Sequence, residues 1–187
     1  MARTETPVCD FDAAAIDFSL PGTDGKTWTL QQCMGENGVL VMFICNHCPF
    51  VKAILERLVR DTRELKQHGI NSVAIMSNDP TEYPEDSFEN MQHIARVHDF
   101  PFPYLLDASQ QVAKAYGAVC TPDFFGYNKQ LGLQYRGRLD ASGKQTAPAD
   151  APRDLFDAML QVAQTGHGPK IQTPSIGCSI KWKSGDI

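Results

Sequence analysis

The hydrophobic and polar positions alternate in blocks that change period along the chain. Gly38 to Ile44 is one uninterrupted apolar run after its opening glycine, short enough to read as a buried strand. From Pro49 to His68 the apolar positions are Phe50, Val51, Ile54, Leu55, Leu58, Val59 and Leu65, the spacing of one helix face, and Gly69 ends the pattern. Glu56, Asp61 and Glu64 fall on the opposite, polar face. Ile70 to Ser77 is a second buried strand, closed by the Asn78-Asp79-Pro80 turn. Phe88, Met91, Ile94 and Ala95 predict a helix from about Asp86 to His98.

The remaining blocks are shorter. Ala14 to Leu20 and Thr27 to Leu30 read as strands around the turn Pro21 to Gly25. Tyr104 to Leu106 is a brief strand, and Ser109 is predicted to cap a short helix that Gly117 terminates. Asp123 to Tyr127 and Leu133 to Arg138 form a strand pair joined through Asn128-Lys129-Gln130, with Arg136 and Arg138 on a solvated face. Leu155, Phe156, Met159, Leu160 and Ala163 mark a last helix. The order, a hairpin followed by β-α-β-α, a short helix and β-β-α, predicts an α/β sandwich.

Composition narrows the class of protein. With 187 residues, 42% hydrophobic and 21% charged, the chain has material for one domain with a full core. A net charge of −5 offers no basic face, so nucleic acid is not expected as a partner. The run Val39 to Ile44 is too short to span a bilayer, and the residues around Arg3 to Pro7 carry no apolar signal core. No membrane association and a cytoplasmic location are expected. Six cysteines in a reducing compartment are free thiols at rest, so a close pair is reactive rather than a staple.

Such a pair stands where the first long strand gives way to the first long helix: Cys45-Asn46-His47-Cys48-Pro49. Two thiols at this spacing suit thiol–disulfide exchange or metal binding. A thiolate at a helix N-terminus is stabilised by free N–H groups and the helix dipole. On that argument Cys45 is the attacking thiol, with a depressed pKa aided by His47, and Cys48 resolves. Proline favours the first helical position, however, and if Pro49 holds it, Cys48 is the cap residue instead. His68, His93, His98 and His167 have no partner at ligand spacing, and Cys9 and Cys33 lie in weakly patterned stretches.

This order of elements, with Cys-x-x-Cys at the first strand-to-helix junction, resembles the thioredoxin fold. The run Tyr116-Gly117-Ala118-Val119-Cys120-Thr121-Pro122-Asp123-Phe124-Phe125 and the opening Asp17-Phe18-Ser19-Leu20-Pro21-Gly22-Thr23-Asp24-Gly25-Lys26 resemble those of its redoxin branch, the AhpC/TSA and peroxiredoxin-like proteins. Cys-Asn-His-Cys-Pro together with the tail Gly177-Cys178-Ser179-Ile180-Lys181-Trp182-Lys183 is similar to a peroxiredoxin-like group with no well-defined reaction. The resemblance implies a thioredoxin-like α/β/α sandwich with an N-terminal β-hairpin extension. Its core spans about 10–165, and an ordered tail of about 166–187, anchored by Trp182, completes a single domain 1–187.

It further implies a cis Thr121-Pro122 bond beside the thiols, with Cys120 packed nearby. The catalytic residues are then Cys45 and Cys48. Asn46, His47, Pro49, Cys120, Thr121, Pro122 and Cys178 line the site, with no cofactor and no bound metal. The implied activity is thiol–disulfide exchange on a protein or small-molecule disulfide, served by a thioredoxin-type reductant. One alternative is an antioxidant, peroxide-reducing enzyme. Peroxiredoxins, though, resemble Pro-x-x-x-Thr-x-x-Cys before the proline, and here Cys45 stands at the threonine position. The other alternative is a non-enzymatic copper or zinc binding protein using Cys45, Cys48 and Cys120.

Overall fold

The computed structural model describes residues 2–185, so Met1 and the last two residues of the expected tail lie outside the described residues. The chain runs β1 (Arg3–Glu5), β2 (Ser19–Pro21), β3 (Thr27–Thr29), α1 (Leu30–Cys33), β4 (Gly38–Phe43), α2 (Pro49–Gln67), β5 (Ile70–Met76), α3 (Phe88–Val97), β6 (Tyr104–Leu106), α4 (Gln111–Tyr116), β7 (Cys120–Thr121), β8 (Asp123–Asn128), β9 (Leu133–Tyr135), α5 (Asp154–Thr165) and β10 (Ile176–Ser179). A single 3-10 turn, Pro84–Asp86, precedes α3.

The central sheet has five strands in the order β6-β5-β4-β8-β9. The βαβ connections make β4, β5 and β6 parallel, and the closing hairpin makes β8 and β9 antiparallel to their neighbours. Because β4 lies between β5 and β8, it is buried on both faces, which is why its sequence is a continuous apolar run. Leu40, Met42 and Ile44 face one core with α2 and α5, while Val39, Val41 and Phe43 face the other with α1, α4 and the β2–β3 hairpin. Gly69 closes α2 with φ +77°, a conformation that costs glycine little. The fold is a thioredoxin-like α/β sandwich. Among the described residues no helix is long and apolar enough to cross a membrane.

Several local expectations are corrected. The cap of α4 is Gln110 rather than Ser109, although the Ser109 hydroxyl still accepts from the Gln111 N–H at 3.3 Å. Helix α3 begins at Phe88 behind a Ser87 cap, leaving Asp86 outside the helix and fully buried. Asp61 is not on a polar face: it is 1% exposed and accepts from Arg153 at 2.6 Å and from Arg60 at 2.8 Å. Arg136 is likewise buried, donating to Asp123 at 3.0 Å and to the Gly117 carbonyl at 2.9 Å, with Phe125 beneath its guanidinium. In both places a charge is tolerated inside because its partner neutralises it.

After α5 the chain returns to the site. Strand β10 pairs antiparallel with β1 on one side and with the short β7 on the other, forming a second sheet. The anchors are Cys178 and Ile180, at 3% and 4% exposure. The expected anchor, Trp182, lies beyond the end of β10, is 41% exposed and sits under the Lys114 ammonium, so the buried Ile180 and Cys178 hold the tail instead.

Candidate active site

The parallel sheet delivers Cys45 to the carboxyl end of β4, and the chain turns into α2 over Asn46 and His47. Pro49 occupies the first helical position, so Cys48 is the N-cap residue, and its carbonyl accepts from Val51 and Lys52. The sequence argument that put Cys45 at the helix N-terminus is therefore displaced by one turn of chain.

The thiols differ sharply. The Cys48 pKa is lowered to about 5, first because the Cys45 thiol donates to its sulfur and then because Cys178 and the Val51 N–H do so; burial opposes them. Cys45 is pushed the other way, well above the usual thiol range, by burial first, then by the hydrogen bond its thiol donates to the Cys48 sulfur and by the nearby Asp86 charge. The expected depressed pKa thus belongs to Cys48, not Cys45. Cys178 is raised to about 12, by burial and then by its contact with Cys48. Its sulfur lies 3.0 Å from that of Cys48.

Thr121 forms the opposite wall. Its peptide bond to Pro122 is cis, as the sequence predicts. Its hydroxyl sits 3.3 Å from the Cys45 sulfur, and its carbonyl is 3.2 Å from the Cys48 sulfur, where it accepts from the protonated thiol. Cys120 is buried beside this wall but points its thiol to the Pro122 carbonyl at 3.5 Å. Burial and the Asp123 charge push its pKa up. It does not join Cys45 and Cys48 in a ligand set.

His47 is neither solvated nor free. Its Nδ1 is 2.5 Å from Asp86 Oδ2, and its ring stacks on Tyr83 with centroids 4.3 Å apart. Nε2 is buried and unpartnered among the described residues. Asp86 holds the whole turn: it accepts from the Asn46 N–H at 2.8 Å, the His47 N–H at 3.2 Å and the Asn78 side chain at 2.9 Å. Asn46 in turn accepts from the Tyr104 hydroxyl at 2.8 Å and donates to the Glu85 carbonyl at 2.8 Å. Asp86, Asn78, Tyr83 and Tyr104 were not singled out by sequence reasoning. Pro84-Glu85-Asp86-Ser87 looks like a helix start, and nothing local ties it to a turn some 40 residues earlier.

Among the described residues, one group of potential metal-ligating atoms comes together: Cys45 Sγ, His47 Nδ1 and an Asp86 oxygen, all within 4.8 Å. The 2.5 Å His47–Asp86 contact is a hydrogen bond that a cation would have to break. The set differs from the expected Cys45, Cys48 and Cys120.

The model of the AhpC/TSA family matches residues 11–140. The chain belongs to the AhpC/TSA family. This redoxin membership supports a redox role in general. A solved structure of an uncharacterized conserved protein from Geobacillus kaustophilus is 41% identical, with a TM-score of 0.92 over 99% of this chain and 98% of that one. A hypothetical protein from Sinorhizobium meliloti is 39% identical at a TM-score of 0.92, covering 97% of this redoxin and all of its own chain, 100%. Peroxidoxin BcpB from Mycobacterium tuberculosis shares the fold at 16% identity, with a TM-score of 0.60 over 82% of this chain and 96% of its own. A search of curated proteins finds no match.

Proposed function

We propose that this redoxin is a thiol–disulfide oxidoreductase whose nucleophile is Cys48, with Cys45 as the resolving thiol. The observation that carries the reading is the Cys48 sulfur, lowered to about 5 at the N-terminus of α2 and in contact with a second thiol that holds its proton. A thiolate attacks a disulfide and a thiol hardly does, so near neutral pH Cys48 is the sulfur ready to react. Attack on a protein or small-molecule disulfide breaks its S–S bond, gives a mixed disulfide at Cys48 and expels the other substrate sulfur as a thiolate. Cys45 then gives up its proton, attacks the Cys48 sulfur and releases the substrate as a thiol. Thr121 assists the second step, because its hydroxyl favours the ionised Cys45. Asn46, His47, Pro49 and Pro122 shape the turn and wall around the pair, and Cys120 packs behind the wall.

A thioredoxin-type dithiol would return the pair to the reduced state. A cytoplasmic location agrees with six free thiols. The tail from 166 onward belongs to the same folding unit as the core in this reading, because β10 is hydrogen-bonded to β7 at the site.

Reduction of insulin disulfides by the prereduced protein tests the proposal. The Cys45→Ser/Cys178→Ser double variant, in which neither neighbouring thiol is left to displace the substrate, should accumulate a mixed disulfide at Cys48, and Cys48→Ser should have no activity. Trapping at Cys45 in the Cys48→Ser protein would reverse the roles.

Peroxide reduction is a second reading, favoured by one observation: the low-pKa thiol directly precedes Pro49 at the first position of a helix. Against it, Arg136 is committed to Asp123 rather than to the thiols. Hydrogen peroxide consumption by the reduced protein, with sulfenic acid mapped to Cys48, separates it from exchange.

A further inference from the structure

Cys48 has two thiol neighbours, and exchange chemistry needs only one. Cys45 reaches it from the end of β4. Cys178 reaches it from 130 residues away, on a strand that is fixed rather than draped: its Cα pairs with Thr121 in the β10–β7 register, and β1 clamps the other edge. The residue before it is Gly177, where any Cβ would sit 2.1 Å from the Thr121 carbonyl. Only glycine lets β10 press close enough to β7 to bring the Cys178 sulfur to 3.0 Å from Cys48. Joining the two as a disulfide needs a contraction of about 1 Å.

We propose that Cys48 is a shared sulfur, which exchanges its disulfide partner from Cys45 to Cys178 and so passes oxidation from the α2 turn to the C-terminal strand. The inference rests on the Cys45–Cys48 reading above. Once a substrate disulfide has oxidised that pair, the Cys178 thiolate attacks the Cys48 sulfur. A Cys48–Cys178 bond forms, the Cys45–Cys48 bond breaks, and Cys45 leaves as a thiolate that takes up the proton Cys178 gave away. No electrons enter or leave in this step. An external dithiol then attacks the Cys178 sulfur and restores both thiols, becoming a disulfide itself.

The electrostatics favour the order. In the reduced protein the Cys48 thiolate holds the proton on Cys178. Forming the Cys45–Cys48 disulfide removes that charge, while Lys181 and Lys144 continue to favour the Cys178 anion. Cys178 therefore ionises more readily once Cys48 is oxidised.

The test is a disulfide map. Reduced wild type, Cys45→Ser and Cys178→Ser proteins are treated with oxidised glutathione, quenched in acid at intervals, digested without reductant and analysed by mass spectrometry. Wild type should show Cys45–Cys48 first and Cys48–Cys178 growing at its expense. Cys45→Ser should form Cys48–Cys178, and Cys178→Ser should stop at Cys45–Cys48. The relay is overturned if wild type and Cys45→Ser both leave Cys178 free, with Cys48 carrying only glutathione in the variant, while Cys178→Ser still forms Cys45–Cys48. If instead Cys178→Ser forms no Cys45–Cys48 bond while Cys45→Ser joins Cys48 to Cys178, the pair reading itself fails and the transfer step falls with it. The wild-type map needs no substitution, so a misfolded variant does not protect the proposal.

Discussion

Cys33 at the end of α1 and Cys48 at the start of α2 are both buried, at 3% and 0% exposure, and both end up far from the ordinary thiol pKa, in opposite directions. Cys33 sits among apolar side chains of the hairpin-side core, and burial alone pushes it up to about 12. Cys48 suffers the same desolvation, but two thiols and the Val51 amide donate to its sulfur, and the balance falls to about 5. Burial of a cysteine therefore says little about reactivity; what decides it is whether donors are buried with it.

The largest effect should separate the two sites outright. Cys48→Ser is expected to lower insulin-reduction rates by at least about 100-fold, because the hydroxyl is not ionised near pH 7. Cys33→Ala should leave the rate within about twofold, since nothing in the site touches it. Equal losses in the two variants would break the comparison.

Next comes pH. Absorbance at 240 nm should report one thiolate appearing with a midpoint near pH 5, unchanged in Cys33→Ala, and raised more by Cys45→Ser than by Cys178→Ser, following the order of their contributions. Stability should follow with opposite signs. A depressed pKa makes Cys48 stabilising above the ordinary thiol range, and that contribution is lost as pH falls toward about 5. The raised pKa of Cys33 stabilises below the ordinary range and is lost as pH rises through about 12. Urea unfolding of wild type against Cys48→Ala should therefore show a difference that shrinks between pH 8 and 5.

A smaller effect tests the scaffold around Cys48. Asp86→Ala removes the acceptor for two backbone N–H groups and two side chains of the turn, and should cost about 2–4 kcal/mol in urea unfolding. It should also lower the Cys45 pKa, because the Asp86 charge opposes the thiolate. A Cys45 that titrates as before would show that burial and its contact with Cys48 set it without help from Asp86. The least change is expected from Thr121→Val, which removes the hydroxyl beside Cys45 at a cost of about 1 kcal/mol and slows resolution a few-fold, seen as longer-lived mixed disulfide at Cys48.

Much of this was readable from the chain alone. β4 and α2 declared themselves through a continuous apolar run and a one-face helical spacing, and the junction between them located Cys45 and Cys48. Pro49 carried the clue to the corrected register: a proline at the first helical position makes the preceding residue the cap, and that residue is Cys48. Asp61 and Arg136 were misplaced because helical or strand spacing gives a face, not the partner that lets a charge lie inside that face.

Periodicity and proline chemistry act over a few residues, and within that range the sequence was enough to order the elements and to place a pair of thiols at a helix start. Which thiol ionises depended on groups that the fold gathers from far along the chain: Asp86 from the turn before α3, Thr121 from β7, and Cys178 from a strand 130 residues beyond Cys48. The pKa of a buried sulfur is a sum of desolvation and nearby donors, and those neighbours exist only once the strands have paired.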